Sequence, residues 1–245
     1  MKARSSLLLV ALAALLVPVV GAQDIGLEDR WTIAVQGGLD SEITGNVLSD
    51  VQGSLFDREV TIFRRTWRQT YEPAFRRGAV LIGFGVTPRT EIVARGSVYE
   101  MKSPGLQTGS VEGSDLFMQL EPYKEYGVDL SYRFYLAWRT RMKSYIAPAA
   151  GVKFLDRILI ESAFAPDRNS AIFNVPLYKA STVFVFGVDV GFTIDIGSTF
   201  YVGLDAQLRY QTKMTAAETF PGLKGINDGG NRLSAPVLLT AGLRF

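Results

Sequence analysis

The chain has 245 residues, with 26 Lys and Arg against 24 Asp and Glu, and it contains neither Cys nor His. A nearly neutral chain gives no electrostatic case for binding nucleic acid, which depends on an excess of basic side chains. The lack of Cys excludes a disulfide framework. The lack of His removes the most common general base and metal ligand, so we predict no catalytic residue, cofactor or metal site.

The first segment of the chain has the three parts of a secretory signal peptide. Lys2 and Arg4 form a basic head, an apolar stretch follows from Leu7 to Val20, and small residues complete the pattern. The apolar stretch is short for a membrane-spanning helix, and polar sequence follows at once. We predict a signal peptide over 1–22 and one mature domain over 23–245, whose charges balance because the leader holds two of the 26 basic residues.

The mature chain contains segments of about ten residues in which apolar and non-apolar side chains alternate, a pattern typical of transmembrane β-strands. Eight such segments are predicted, in chain order, at Trp31–Gly38, Phe75–Val86, Ile92–Val98, Tyr126–Leu136, Tyr145–Phe154, Phe184–Ile194, Val202–Tyr210 and Val237–Phe245. Pro148 interrupts the fifth segment. Because proline cannot donate to a strand ladder, we expect a bulge or a bend there.

The connections between these segments alternate strictly between short and long. Four long connections span roughly residues 39–74, 101–123, 155–180 and 213–234. The pattern predicts an all-β fold, an eight-stranded antiparallel up-and-down transmembrane β-barrel in the bacterial outer membrane. Short turns and both termini would be periplasmic, and the long loops would be extracellular. We expect external proteases to cut these loops, for example at 103–113 and 165–170.

A soluble β-sandwich or a lipocalin-like barrel is the alternative fold. It would place the apolar faces inside and the charged faces in water. Two features favour the membrane barrel instead. Glycine and other small residues crowd the charge-bearing faces, which suits a narrow interior, and aromatic residues gather near the strand ends, as membrane interfaces require.

The chain resembles the small eight-stranded outer-membrane barrels, the class of the OmpA transmembrane domain, OmpX and OmpW. The only motif that carries the resemblance is the C-terminal segment Ala241–Phe245, which ends in Leu243-Arg244-Phe245. Many members carry a second aromatic residue where Leu243 stands. The resemblance implies that Leu243 and Phe245 form the signal read by the barrel-assembly machinery. It implies no single function, because the class includes structural proteins, adhesins, small-solute channels and a few enzymes.

Charged side chains occupy the strand faces opposite the apolar ones, and we predict that they form a lumen charge cluster. The cluster comprises Glu91, Arg95, Asp129, Arg133, Lys153, Asp189, Asp205 and Arg209. The interior of an eight-stranded barrel is just wide enough for side chains to fill. We expect Asp129, Asp189 and Asp205 to pair with Arg95, Arg133 and Lys153. A gate or narrow conduit in which these pairs break transiently is the alternative.

Basic and aromatic residues are interleaved in the first long connection. Its arginines include the possible lipopolysaccharide contacts Arg64, Arg65, Arg68, Arg76 and Arg77. Guanidinium groups bind phosphate bidentately, which favours contact with lipopolysaccharide at an outer rim. The alternative is an interfacial belt in which arginine stems lie along the membrane surface and aromatic rings anchor it.

The function predicted from the sequence is that of a non-catalytic, monomeric outer-membrane protein with a structural or surface-exposed role. A small-solute or hydrophobic-compound channel, as in OmpW-like barrels, is the alternative, and an enzyme acting on lipid without His is a further one. The expected partners are outer-membrane lipid and lipopolysaccharide, with the barrel-assembly machinery and periplasmic chaperones during biogenesis. No nucleic-acid partner is expected.

Overall fold

The computed structural model describes residues 26–55, 57–72, 77–136, 141–166, 170–218 and 221–245. Its strands are β1 (Trp31–Leu39), β2 (Glu42–Thr44), β3 (Asn46–Leu48), β4 (Val51–Leu55), β5 (Arg58–Ile62), β6 (Arg65–Thr66), β7 (Arg77–Thr87), β8 (Thr90–Met101), β9 (Leu106–Val111), β10 (Ser114–Leu120), β11 (Tyr123–Tyr135), β12 (Met142–Leu155), β13 (Ile158–Ala165), β14 (Ser170–Tyr178), β15 (Ser181–Ile196), β16 (Phe200–Gln211), β17 (Arg232–Ser234) and β18 (Val237–Arg244). A short helix, α1 (Trp67–Thr70), and a 3₁₀ turn (Pro221–Leu223) lie between strands. No helix in the described ranges is long and apolar enough to cross a membrane.

Eight of the strands form a closed antiparallel barrel. They are hydrogen-bonded in the order β15–β12–β11–β8–β7–β1–β18–β16, and β15 also pairs with β16, which completes the ring. The backbones of Trp31 and Phe245 exchange two hydrogen bonds, of 2.8 and 3.0 Å, where the first and last strands meet. The predicted eight-stranded fold is confirmed. Each predicted segment lies on a barrel strand, although residues 75 and 76 of the second lie outside the described ranges.

No bulge forms at Pro148, although the sequence suggested a bulge or a bend there. Strand β12 pairs with β15 in unbroken register along its whole length, with Pro148 opposite Val188. On the other side, β12 keeps the same register with β11 before and after Pro148, and residues 147 and 148 have no pairing partner on β11. The missing N–H is therefore accommodated by a local gap in pairing rather than by an extra residue.

The barrel reverses the polarity of a soluble protein. Outward-facing apolar side chains are widely exposed, including Val35 at 59%, Leu130 at 59%, Phe184 at 60% and Leu239 at 68%. The charged side chains face inward, and Asp189 is 0% exposed. Apolar surface on this scale is unfavourable in water, whereas a lipid-facing barrel wall requires it. This arrangement excludes the soluble β-sandwich and lipocalin-like alternatives.

The barrel has two distinct ends, which we call the turn end and the loop end. The turn end carries the short connections β7–β8, β11–β12 and β15–β16, and the loop end carries the long ones. Strands β9, β10, β13 and β14 are hydrogen-bonded in that order. Each is adjacent in the chain to one of the barrel strands β8, β11, β12 and β15, which are neighbours in the same order. The four strands therefore continue that part of the barrel wall beyond the loop end. Strands β5 and β4 add to the edge at β9. We call these six strands the upper sheet.

The upper sheet corrects the expectation that the long connections are open loops. Strand β9 occupies most of the segment 103–113, which we expected to be open to proteases. The other expected cleavage segment, 165–170, begins at the last residue of β13 and ends at the first of β14, and residues 167–169 lie outside the described ranges. Sequence periodicity missed these strands because they are short and some contain bulges.

The upper sheet encloses a hydrophobic core that covers the loop end of the barrel. The core includes Val47, Leu48, Val60, Ile62, Trp67, Leu116, Leu120, Ile158, Ile160, Leu177 and Tyr178. Trp67 is fully buried and begins helix α1. A capping box fixes the start of the helix, since Thr66 accepts from the backbone N–H of Gln69 at 3.3 Å and the Gln69 side chain accepts from the N–H of Thr66 at 3.0 Å.

The chain before β1 covers the turn end. Leu27 is 2% exposed and packs in a cluster with Tyr135 and Tyr145. Its N–H donates to the carbonyl of Pro88 at 3.3 Å. Gly85 permits this close approach, because a Cβ atom at that position would lie 1.7 Å from the Leu27 carbonyl oxygen. Both ends of the lumen are therefore covered by packed chain.

Candidate functional site

Two arginines and two aspartates form a closed ring of ion pairs near the middle of the barrel. The guanidinium of Arg95 lies 2.8 Å from a carboxylate oxygen of Asp189 and 3.4 Å from one of Asp129. Arg209 contacts the same two carboxylates, lying 3.7 Å from Asp129 and closer to Asp189. All four residues are buried. Each charge has two partners of opposite sign, which is the condition under which buried charges are tolerated.

A second layer lies nearer the turn end. The guanidinium of Arg133 is 3.4 Å from Glu91 and 3.9 Å from Asp205. Two tyrosines supply shorter contacts, since the hydroxyl of Tyr135 donates to Glu91 at 2.8 Å and that of Tyr145 donates to Asp205. The guanidinium of Arg133 also lies 4.6 Å from the centroid of the Tyr145 ring. Phenol groups thus add hydrogen bonds to the ion pairs of this layer.

A third layer, nearer the loop end, contains the predicted Lys153 together with residues that were not predicted from the sequence. Lys153 lies 2.6 Å from one carboxylate oxygen of Glu125, and Arg232 binds the other oxygen. Arg232 is also 3.7 Å from Glu42. On its other side, the Arg232 guanidinium lies 5.3 Å from the centroid of the Trp67 ring. This contact joins the ion pairs of the lumen to the hydrophobic core above them.

The third layer changes the partner expected for Lys153. The sequence suggested pairing with Asp129, Asp189 or Asp205, whereas Lys153 pairs with Glu125. Glu125 was missed because it stands one residue before the predicted start of its strand. Since it lies four residues before Asp129, its side chain points to the same face of the strand as that of Asp129. The other acid and the arginine of the layer come from β2 and β17, in regions that we expected to be loops.

The described part of the lumen is close to electrically neutral. Its buried cations are Arg77, Arg95, Arg133, Lys143, Lys153, Arg209, Arg232 and Arg244. Its buried carboxylates are Asp40, Glu42, Glu91, Glu125, Asp129, Asp189 and Asp205, and the partly exposed Asp195 pairs with both Lys143 and Arg244. Eight acids thus face eight bases. The described lumen therefore lacks the excess of one charge that selects ions by their sign.

Glu42 is held less firmly than Glu125. It lies on β2, beyond the barrel strands, and its contact with Arg232 is longer than the one that Arg232 makes with Glu125. Burial raises the pKa of Glu42 above its ordinary value, and the nearby Arg232 opposes this effect only in part. Glu42 therefore takes up a proton more readily than an exposed carboxylate does.

The arginines expected to contact lipopolysaccharide do not form one surface. Arg64 and Arg68 are exposed, and Arg64 pairs with the equally exposed Asp50 at 3.3 Å. Arg76 lies outside the described residues. Arg65 is half-buried, and its guanidinium donates to a backbone carbonyl of β9.

Arg77 departs furthest from that expectation. It is 4% exposed and forms an ion pair with the fully buried Asp40 inside the barrel. Successive side chains of β7 alternate between the two faces of the wall, and Val80 and Ile82 face outward. Arg77 has the opposite position in this alternation and therefore points inward, beside the lumen layers. Arg77 is therefore a lumen residue and does not lie on a lipid-contacting or loop surface.

The C-terminal residues lie on the outer wall at the turn end. Phe245 is 61% exposed and Leu243 is 46% exposed, so both side chains face the surroundings of the barrel. Arg244, between them, points into the lumen, where it pairs with Asp195. A role for Leu243 and Phe245 in assembly stays a prediction.

No family model and no curated protein sequence matches this chain. Among solved structures, it is similar to neisserial surface protein A, with 13% identity, 89% of this chain and 98% of that chain covered, and a TM-score of 0.44. It is also similar to Ail, the attachment invasion locus protein of Yersinia pestis, in complex with the heparin analogue sucrose octasulfate (13% identity, 89% and 99% covered, TM-score 0.43). A third is the outer membrane protein OprG from Pseudomonas aeruginosa (9% identity, 91% and 98% covered, TM-score 0.44). The architecture of this chain, a closed ring of eight strands with an apolar wall and a polar interior, is that of the small outer-membrane barrels.

Proposed function

We propose that this protein is a closed, non-catalytic barrel of the bacterial outer membrane with a structural, surface-exposed role. The observation that carries the proposal is the filling of the lumen from end to end. Leu27 and two tyrosines cover the turn end, three layers of ion pairs follow, and the hydrophobic core around Trp67 covers the loop end. A continuous water path would require several buried pairs to break together.

In the proposed orientation, the turn end faces the periplasm and the upper sheet projects from the cell. Both termini are then periplasmic, as expected for an even number of strands. The wall contacts outer-membrane lipid, and assembly requires the barrel-assembly machinery and periplasmic chaperones. We propose a monomer, which is consistent with a ring of strands that closes without a strand from a second copy.

The lumen carboxylates are assigned a structural role rather than a catalytic one. Asp129 and Asp189 each lie between the same two arginines, so neither is placed to exchange protons with a substrate. The absence of His from the sequence removes the general base that barrel enzymes most often need. These two facts favour the non-catalytic role over an enzyme acting on lipid.

Conductance distinguishes the closed barrel from the channel alternative. The refolded wild-type protein, inserted in a planar bilayer, should be electrically silent under conditions in which an open porin conducts. Insertion is verified by protection of the barrel from added protease. Steady single-channel openings by the inserted protein would refute the closed-lumen proposal and favour a small-solute channel.

The proposed orientation is tested by labelling, since the natural chain contains no Cys. Glu59 is exposed on β5 in the upper sheet, and Ser198 is exposed in the turn between β15 and β16. In intact cells, a membrane-impermeant maleimide should label a Glu59→Cys variant and should not label Ser198→Cys until the outer membrane is opened. The reverse pattern would invert the orientation.

A further inference from the structure

Three exposed basic side chains lie together at the loop end of one sector of the barrel wall. Arg157 stands between β12 and β13, Lys179 between β14 and β15, and Lys213 just after β16. The barrel strands β12, β15 and β16 are neighbours in the sheet. The three cations therefore mark a single patch at the height where the barrel wall meets the upper sheet.

Two of these cations occupy matching positions in the connections at the base of the upper sheet. Ile158 and Tyr178 are cross-strand partners at the base of β13 and β14, and so are Leu155 and Ser181 on β12 and β15. Arg157 and Lys179 occupy matching positions between these two pairs. Like charges at facing positions repel each other, and an anion between them would remove the repulsion.

A network of hydrogen bonds holds the third cation beside them. The N–H of Lys179 donates to the carbonyl of Thr215 at 2.9 Å. The hydroxyl of Ser181 donates to the carbonyl of Lys179 at 2.8 Å and accepts from the N–H of Thr215 at 3.0 Å. Lys213 lies two residues before Thr215, so this network fixes its backbone next to that of Lys179.

Exposed aromatic side chains lie on the same three strands, on the barrel side of the patch. They are Phe154 on β12, Phe184 and Phe186 on β15, and Tyr210 on β16. Each is between 44% and 60% exposed. The sector thus presents a positive rim above an apolar, aromatic surface, which is the arrangement that matches an amphiphile with an anionic head.

Other parts of the rim differ from this sector. On the far side of the barrel, the outward-facing residues at the same end are apolar, including Leu39, Ile43 and Leu239. The exposed Lys102 lies just after β8, and the exposed Lys124 lies on β11, directly opposite Glu100 on β8. Lys124 therefore has an acid directly across the strand.

We propose that Arg157, Lys179 and Lys213 bind the phosphorylated headgroup of a lipid in the surrounding leaflet, whose acyl chains lie on the aromatic surface. The proposal rests on the membrane placement proposed above. Arginine and lysine are the usual ligands of phosphate, and an anion between Arg157 and Lys179 removes their repulsion. The exposed acids Asp156 and Asp228 are close by, with Asp228 3.8 Å from Lys213, and they leave one net positive charge.

The test compares two matched double variants of the full mature chain in bilayer nanodiscs. Arg157→Gln with Lys179→Gln removes the opposed cations, and Lys102→Gln with Lys124→Gln is the control at the same rim. Titration with diphosphorylated lipid A should show binding to the wild type and the control. The Arg157/Lys179 variant should bind roughly 30-fold more weakly, a difference of about 2 kcal/mol, because the two charge-assisted contacts with the phosphate are lost.

Thermal unfolding supplies a second readout, because the effect of the double substitution on the unfolding temperature should differ between bilayers with and without lipid A. In zwitterionic lipid alone, the Arg157/Lys179 variant should unfold at the same temperature as the wild type or above it, since a repulsion has been removed. Added lipid A should raise the unfolding temperature of the wild type and the control and leave this variant unchanged. Dephosphorylated lipid A should have no effect on any of them.

The outcomes separate this inference from the membrane placement on which it rests. Failure of the wild type to insert into zwitterionic bilayers would refute the membrane placement itself. Insertion with equal lipid A binding by both double variants would refute the headgroup site alone. Equal binding of dephosphorylated lipid A would also overturn it, because the site would then recognise acyl chains or sugar rather than phosphate.

Discussion

The ring of Arg95, Asp129, Asp189 and Arg209 predicts how much one lumen charge contributes to stability. In Asp189→Asn, Arg95 loses its contact of 2.8 Å and Arg209 loses its closest partner. Removing one member of a buried ion pair costs on the order of 3–5 kcal/mol. Because Asp129 still lies 3.4 Å and 3.7 Å from the two arginines, we expect a cost near the lower limit, about 3 kcal/mol.

The assay is unfolding of the refolded protein in detergent micelles, followed by gel mobility and circular dichroism. A loss of this size lowers the unfolding temperature of a chain of this length by roughly 10 °C. Asp129→Asn should cost less than Asp189→Asn, because its two contacts are longer and its side chain is 11% exposed. Asp50→Asn is the surface control, since the Arg64–Asp50 pair is exposed and worth about 1 kcal/mol or less.

The order of the three variants decides whether the reasoning is correct. If Asp189→Asn and Asp50→Asn unfold at the same temperature, the ring does not hold the barrel together. If Asp189→Asn is destabilised and also conducts in planar bilayers, the ring both stabilises and closes the lumen. Destabilisation without conductance assigns closure to the covered ends and leaves the ring a structural role only.

Three further outcomes are expected. Gly85→Val should displace the segment that contains Leu27 and lose about 1.5–3 kcal/mol of buried-leucine stabilisation, because its Cβ would meet the Leu27 carbonyl at 1.7 Å. A spin label at residue 28 should then become mobile, whereas Gly96→Val, which has open space around it, should leave the label unchanged. Glu42→Gln should stabilise the fold at neutral pH, where burial of the ionised carboxylate is costly. Since burial raises the pKa of Glu42, this gain should shrink as the pH falls through that raised pKa and vanish below the ordinary value of 4.5, and a constant gain across the pH range would contradict it. Phe245→Asp should reduce the amount of folded protein in the outer-membrane fraction while export to the periplasm continues, and unchanged assembly in cells would remove Phe245 from the assembly signal.

The barrel could be predicted from the sequence because each of its strands is long enough to display period-two alternation. The segment from Tyr126 to Leu136 exposes its apolar side chains and buries Asp129 and Arg133, as the alternation requires. The alternation alone gave the direction of these charges but not their partners, which depend on the register between strands. Lys153 is the example, since its partner Glu125 is opposite neighbouring Leu155 in the β11–β12 ladder.

The upper sheet could not be predicted in the same way, for physical reasons. Its strands bury one face in a conventional hydrophobic core, and they are interrupted by bulges that break the alternation, as between Leu116 and Phe117. The role of Arg232 was also hidden, because nothing in the local sequence indicates that β17 continues the wall and turns this side chain inward beneath Trp67. Long-range pairing, not local pattern, determines both features.

The two interiors of this molecule depend on one another. In the barrel, lipid takes the apolar faces, so the inside must be filled by polar groups that satisfy one another. In the upper sheet, water surrounds the outer face in the proposed orientation, so the apolar residues pack inside. Arg232 stands at the boundary, with Glu125 on its barrel side and the ring of Trp67 on the other. A buried guanidinium can end a polar layer in this way because its edge donates hydrogen bonds while its face packs on an aromatic ring. The closed lumen and the folded upper sheet therefore meet at Arg232, and a change at this residue should weaken both.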